Sequence, residues 1–314
     1  MAALLVTRLG RAVILLFLVS VAVFGLVLLI PGDPAVTIAG EDASPQQLDS
    51  IRAELGLDEP LPVQYGQWLS GAVTGDLGTS FHTRVPVTES ILARFPATFS
   101  LTVAALVVAL AIGLSFGLVA AAHRGGWLDR ALTVTSTAGI AVPHFWLGMV
   151  LILAFALTWT LFPAVGYVPL TDDPVGWLRH ITLPAVTLGV AAAAELARHT
   201  RSAMAEVLLQ DYLRTARAKG VRRRTRMLKH ALRNAAVPIV TVLGFQVSLL
   251  LGGSVIIERM FGIPGLGSLA IDAVQYNDLP VLQGVVLVSA LVVVIVNLLT
   301  DVAYGLLNPK VRLA

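Results

Sequence analysis

The sequence predicts an all-α integral membrane protein with six transmembrane helices and a long external insertion after the first. Three observations predict it: an apolar surplus, a series of uncharged runs long enough to cross a bilayer, and a one-sided distribution of positive charge. Of 314 residues, 56% are hydrophobic and 13% charged, against roughly 45–50% and about 25% in soluble domains. The mean hydropathy is +0.82. Such a chain lacks the polar side chains to cover a water-facing surface, which excludes a soluble globular enzyme. Disorder is excluded too, because a segment stays unfolded only when it has too little apolar surface to offset ordering entropy. With no cysteine, the chain has no disulfide, no thiol nucleophile and no cysteine-ligated metal.

A helix crosses hydrocarbon with about 20 mostly apolar residues, because every backbone amide must be satisfied within the segment. Ala12 to Ile30, Ala97 to Ala122, Ala235 to Ile257 and Leu279 to Thr300 are uncharged runs of 19, 26, 23 and 22 residues. They read directly as spans. The first follows Arg8 and Arg11 as a signal peptide would, but it exceeds the usual apolar length of about 7–15 residues and no small-residue cleavage site follows closely. It is read as a retained helix. Ala131 to Thr171 is uncharged, and Pro163, Gly166 and Pro169 mark turn-forming chain, so one helix followed by irregular structure is expected. Ile181 to Ala194 becomes a span when Glu195 to Thr200 form an interfacial last turn.

Charge arbitrates the topology. With a cytoplasmic start, the inside segments 1–11, 123–130, 198–234 and 308–314 hold 17 of the 22 Lys and Arg, which is the positive-inside bias. Doubling the third helix and dropping the fourth gives the same parity, and counting does not separate the two. The expected organisation is therefore an N-terminal segment and first helix over 1–30, an external segment over 31–96, and a membrane core over 97–314 that carries a basic cytoplasmic loop at 201–234. The external segment has nine acidic residues against Arg52, Arg84 and Arg94. It is far longer than an ordinary connection of about 4–6 residues, which predicts a small folded element. Leu48, Ile51, Arg52 and Leu55 follow helical spacing within Pro45 to Leu55. Pro264, Gly265 and Gly267 break the last external segment, where a short re-entrant turn is expected.

Three spans carry small residues at every fourth position, hence on one helical face. The second has Ala105, Ala109, Gly113, Gly117 and Ala121; the fourth has Ala185, Gly189, Ala193 and Ala197; the fifth has Gly244, Ser248 and Gly252. Small side chains let backbones approach closely where lipid offers no hydrophobic gain for association. The fifth ladder neighbours Gln246, Gly253 and Ser254, so Gly244, Gln246, Ser248 and Gly252 are candidates to line a translocation path. Ionisable groups in the spans are few. Glu195 stands three residues before Arg198 and four before His199, a spacing that pairs them on one face. His144 is isolated in the third helix and reads as a hydrogen-bonded packing residue.

Residues 201–233 carry ten Lys and Arg against Glu206 and Asp211. A polybasic segment beside a membrane attracts anionic headgroups, so membrane lipid is one expected partner. Inside the loop, Asp211 to Gly220 reads as a short helix with an Asp cap, cations toward its C-terminal end and Gly at its stop. Ala216, Ala218 and Gly220 make one side small enough for another protein's groove to close on. A second helix is expected from about Thr225 to Asn234, leading into the fifth span near Pro238.

At these residues the chain resembles the permeases of the peptide/nickel (dipeptide and oligopeptide) group of ATP-binding-cassette importers, dipeptide-permease B type, along nearly its whole length. RTARAKG (Arg214 to Gly220) with HALRNAAVP (His230 to Pro238) is similar to that group's form of the EAA loop, which docks on the ATPase subunit. Arg and Thr stand where the broader pattern has Glu and Ala. PGDPA (Pro31 to Ala35), LGLDEPLPVQYGQWL (Leu55 to Leu69) and GDLGTSF (Gly75 to Phe81) resemble the family's first external segment. ARFPATFSL (Ala93 to Leu101), VPHFWLG (Val142 to Gly148) and FGIPGLGSL (Phe261 to Leu269) resemble later landmarks, and Asn277 departs from an expected Arg.

The resemblance implies the type I importer permease fold in a bacterial inner membrane, with both termini cytoplasmic. It also implies a homologous second permease, two cytoplasmic ATPases that bind ATP and Mg, and an external solute-binding protein. No cofactor, metal or nucleic acid is expected on this chain, and no catalytic residue. Arg214, Thr215, Ala216, Arg217 and Gly220 become the expected ATPase-coupling residues. The chain itself has no G-x-x-x-x-G-K-[ST] phosphate loop, so its energy must arrive through a partner. Two rival classes are an ion-gradient-driven carrier, which should show an acidic relay, and a membrane hydrolase, which should carry a nucleophile–base pair or H-E-x-x-H; neither pattern is in the sequence. Within the family, dipeptides, longer peptides, nickel chelates and glutathione remain alternative substrates.

Overall fold

The computed structural model describes residues 2–27, 34–39, 43–54 and 56–307. The motif residues Pro31, Gly32, Asp33 and Leu55, the end of the first run at Ile30, and the basic tail at 308–314 lie outside the described residues. The described residues are mostly helical, and among them the β pairing is a single bridge between Thr79 and Pro86. Among the described residues, five helices are long and apolar enough to cross a membrane, or six if one bent pair is a single span. Two compact units are present: one comprises Ala97–Ile263 with the stretch from Ile295 onward, the other Ala2–Pro96 with Pro264–Val294.

In the second unit, α1 (Ala2–Val27) is followed by the short α2 (Pro34–Ala39), α3 (Pro45–Glu54) and α4 (Leu61–Thr74), so a helix stands where the spacing of Leu48, Ile51 and Arg52 predicts one. Ser44 begins α3 locally: its hydroxyl accepts from the Gln47 amide while Gln47 Oε1 accepts from the Ser44 amide, a reciprocal cap. The aromatic face of α4 meets α1. Tyr65 stacks edge-on against Phe24 at 5.4 Å and shares a 2.7 Å hydrogen bond with Ser20. Beyond Gly75 the chain turns back to α5 (Val87–Ala122), whose first turns pack with Leu77, Leu266, Leu269 and Val285. Asp278 seals this unit: it is 4% exposed and accepts from the Ser80 hydroxyl at 2.5 Å and the Phe81 amide at 3.1 Å. The predicted re-entrant turn after Pro264 is instead a ten-residue helix, α12 (Leu266–Gln275), because only its start carries the breakers. Asn277 adopts φ 52°, a left-handed backbone that Asn tolerates better than most residues, which accounts physically for an Asn there.

In the first unit, α6 (Trp127–Ala141) and α7 (His144–Leu151), continued by a π-helical turn over Ile152–Thr158, meet at a 101° bend. Here the expectation of one helix before the irregular stretch is corrected to two helical pieces. Pro143 lacks the amide that would continue α6, and it pushes Val142 out of helical conformation, to ψ 123°. His144 lies just beyond the break, exposed on this chain rather than packed. Residues 159–173 are irregular, as expected, and their Gly166 amide donates to the Phe261 carbonyl at 2.8 Å. Next, α8 (Pro174–Val207) starts earlier than its uncharged run. Asp173 caps it by accepting from the Val175 amide at 3.0 Å, and Pro174 occupies the first position. Among the membrane-length helices α8 is the most enclosed, with 67% of its most apolar window buried against 11% for α1.

The ladders of α5 and α8 face each other. A Cβ on Gly113 would stand 2.8 Å from the Ala193 carbonyl oxygen, one on Gly117 2.7 Å from that of Ala197, and one on Gly189 2.6 Å from that of Ala105. The start of α6, at the far end from the bend, is fastened to α8 by Asp129, 3% exposed, which accepts from Arg201 through Nε and, at 2.9 Å, through Nη2, and from the Gly125 amide at 2.9 Å. Replacing Asp129 with Ala should lower the unfolding free energy by about 1–3 kcal/mol. The cost stays below that of a sealed ion pair because Arg201 is one third exposed. A thermal melt in detergent measures it, and an unchanged midpoint would show that the pair is idle.

Candidate functional site

The basic segment after α8 carries the expected coupling residues and is the candidate site. After α8 a short turn leads to α9 (Asp211–Ala218). Gln210, not Asp211, is the N-cap, and it makes no side-chain cap bond. Asp211 sits in the first turn, where its charge favours the helix N-terminus. The helix ends on a closed cap: Gly220 has φ 75°, its amide donates to the Arg217 carbonyl at 3.0 Å, and the Val221 amide donates to the Ala216 carbonyl at 3.0 Å. These two bonds are the Schellman pair, which requires a left-handed residue where Gly220 stands.

Two attachments fix α9 to the core. Leu213 is 4% exposed and joins Leu196, Met204, Ala231, Ala235 and Ile239, which belong to the spans before and after the loop. On a neighbouring side, Asn234 Nδ2 donates to the Tyr212 hydroxyl at 2.7 Å. The expected second helix begins at Arg223 as α10 (Arg223–Thr225), passes through a π-helical turn at Arg226–Ala231, and fuses with α11 (Leu232–Phe261). Pro238 therefore lies inside a helix that has already formed.

Of the coupling candidates, Arg214, Thr215, Arg217 and Gly220 are exposed, while Ala216 is half-buried on the side of Leu213. The outward small residues are Ala218 and Gly220. Leu213 and Tyr212 were missed at the sequence level, although Leu213 is the one aliphatic residue larger than Ala in DYLRTARAKG and could have been read as an anchor.

The path candidates on α11 separate into two pairs. Gln246 is 3% exposed and donates to Glu195 Oε2 of α8 at 2.6 Å, and Glu195 also lies 4.0 Å from Arg198 and 3.8 Å from His199. Gly244 is buried, with Thr300 Cγ2 2.8 Å from where its Cβ would be. Ser248 is half-buried and Gly252 faces open space. Further along α11, Glu258 is fully buried and accepts from the Thr98 hydroxyl at 2.7 Å. No group of three or more His, Cys, Asp or Glu able to hold a metal occurs among the described residues.

Comparison with known proteins identifies the family. Residues 113–313 match the family described as binding-protein-dependent transport system inner membrane component, and residues 1–102 match its N-terminal membrane component. A peptide transport system permease protein of Brucella abortus (strain 2308) is 45% identical over 312 residues, covering 99% of both chains. The glutathione transport system permease protein GsiC of Escherichia coli (strain K12) is 43% identical over 297 residues, 95% of this chain and 94% of that one. Among solved structures, a chain of the MetNI methionine ABC transporter in an inward-facing conformation superposes with a TM-score of 0.57 at 19% identity, over 69% of this chain and 96% of that chain. That likeness is one of fold.

Proposed function

The chain belongs to the family of binding-protein-dependent transport system inner membrane components, and on that premise we propose that it forms half of the transmembrane path of an ATP-driven importer of di- and oligopeptides. The observation that carries the reading is α9, a rigid short helix with a closed cap, locked through Leu213 into the spans on either side of the loop and through Tyr212 to the start of α11. Such an element transmits displacement, whereas a flexible loop absorbs it. Partner ATPases bind ATP and Mg, grip α9 at Arg214, Thr215, Ala216, Arg217 and Gly220, and bias the helices between two states by binding nucleotide more tightly in one of them. A homologous second permease completes the path, and an external solute-binding protein delivers cargo. The protein sits in the bacterial inner membrane with both termini and the α9 loop cytoplasmic. On α11, Ser248 and Gly252 are reachable from a path, while Gln246 and Gly244 hold the helix against Glu195 and Thr300. The relative named for glutathione transport supports glutathione, itself a small peptide, as a second cargo of the same path.

Tagged chain purified from native membranes should bring down a second permease and two ATPases. Vesicles holding that complex should take up peptide only with ATP and the binding protein present. Uptake driven by an ion gradient without ATP would overturn the proposal in favour of a carrier.

A further inference from the structure

Glu195 is an ionisable group deep in a membrane helix. Its hydrogen-bond partner Gln246, 2.6 Å away on α11, is the central residue of the uncharged run Ala235 to Ile257, with eleven residues on either side. At 1.5 Å per residue that is about 16 Å from each end of the run, half of the ~30 Å of hydrocarbon. Leu196, next to Glu195, packs beside Gly113, well inside the uncharged run of α5. Between Gly189 and Ala203 the residues of α8 that this chain leaves open centre on Ala191, Glu195, Arg198 and Ser202. They follow one another at four, three and four positions, which places them on one face. A mid-depth face that holds a carboxylate is costly against lipid; such groups turn to a bundle interior or to water.

We infer that Glu195 lines the translocation path and receives the terminal ammonium of the peptide cargo, an inference that rests on the importer reading above. The carboxylate keeps acceptor capacity for it. Oε2 takes the Gln246 bond, while Arg198 and His199 stand 4.0 and 3.8 Å from Oε1, too far for hydrogen bonds, and the side chain is 31% exposed. An ammonium stripped of water at the middle of a membrane is costly without a counter-charge, and a carboxylate fixed at that depth offsets the cost. Di- and oligopeptides share the ammonium whatever their side chains, so one acid serves a path that takes many sequences. Gln246, 3% exposed, is a positioning residue whose amide orients the carboxylate.

The chain has no cysteine, so Ala191→Cys, one turn from Glu195, gives this subunit a single thiol. The full complex is reconstituted in nanodiscs without the binding protein, and labelling by a water-soluble maleimide is followed. The Ala191→Cys chain should label, and Leu188→Cys, at a position 1% exposed, should not. Millimolar trialanine should slow labelling at position 191 about tenfold, the worth of one charge-assisted hydrogen bond, and N-acetyltrialanine, which lacks the ammonium, should leave it unchanged. Adding Glu195→Gln, which keeps an acceptor for Gln246, should abolish the protection; if that variant does not assemble, the comparison of the two peptides on native Glu195 decides alone. A thiol that never labels would overturn the inference by showing that a partner subunit covers this face. Equal protection by both peptides, or protection that survives Glu195→Gln, would overturn it too. Wild-type uptake of trialanine with ATP and the binding protein is measured beside these. Its absence overturns the importer reading, whereas normal uptake with no protection at position 191 overturns this inference alone.

Discussion

Gly117→Ala is expected to destabilise the protein, although alanine is the better helix former. In an unconstrained helix the change favours folding by about 1 kcal/mol. Here the new methyl carbon would lie 2.7 Å from the Ala197 carbonyl oxygen and 2.8 Å from Thr200 Cγ2. A backbone carbonyl cannot rotate away, so α5 and α8 would have to separate along the whole seam that Gly113 and Gly189 also hold close. Overpacking of this kind costs about 1–3 kcal/mol, enough to invert the sign. Gly252→Ala provides the contrast, since nothing stands within 4 Å of its Cβ position, and it should be neutral or stabilising by up to about 1 kcal/mol. Unfolding midpoints of the two variants in one detergent decide the matter. If both rise, the helices do not pack through their ladders.

The second large effect concerns Gly220. A Cβ there meets nothing within 4 Å, so its role within this chain is conformational: φ 75° lets the last turn of α9 close. Valine in that backbone region costs about 1–2 kcal/mol, and each 1.4 kcal/mol is tenfold in population. Gly220→Val should therefore fray α9 and reduce ATP-dependent uptake about tenfold or more, while the protein remains in the membrane at normal abundance. Gly220→Asn should keep most of the activity, because Asn tolerates the left-handed region. Should asparagine prove as damaging as valine, the position matters for clearance against the ATPase and not for the cap. Normal uptake with valine would remove α9 from the coupling step.

Much of this architecture is legible in the residues because it rests on local signals. The uncharged runs at Ala97 to Ala122 and Leu279 to Thr300 fall within α5 and α13 (Leu279–Leu307). Spacing alone identified α3, and the glycine after an Arg- and Lys-rich turn located the end of α9. What escaped were features set by distant partners or by one backbone break. Asp129 finds Arg201 across 72 positions, Thr98 finds Glu258 across 160, and Ser80 finds Asp278 across 198; no periodicity reports such pairs. Asp129 falls in the inside segment 123–130 and Glu258 just past the run Ala235 to Ile257, outside the expected spans, yet both are buried. The 101° bend escaped for the opposite reason: hydropathy averages over Pro143, and an apolar run reads the same whether straight or folded on itself. In the candidate site, the exposed cations were visible and the anchor was not, because charge stands out in a loop while one leucine does not.

The helix from Arg223 to Phe261 has 39 residues without an interruption in its helical course. At 1.5 Å per residue it is about 58 Å long, close to twice the ~30 Å of a bilayer's hydrocarbon. No ordinary tilt hides that excess, so one covalent beam must stand partly in water and partly in oil. Rocking of such a helix about its middle would swing both ends in opposite directions by equal arcs. Ten degrees of rocking moves each tip about 5 Å, roughly one helical pitch. Such gearing needs no relay of side chains; the π-helical turn at Arg226–Ala231 and Pro238, both departures from the regular hydrogen-bond ladder, would set how faithfully a push at one tip arrives at the other.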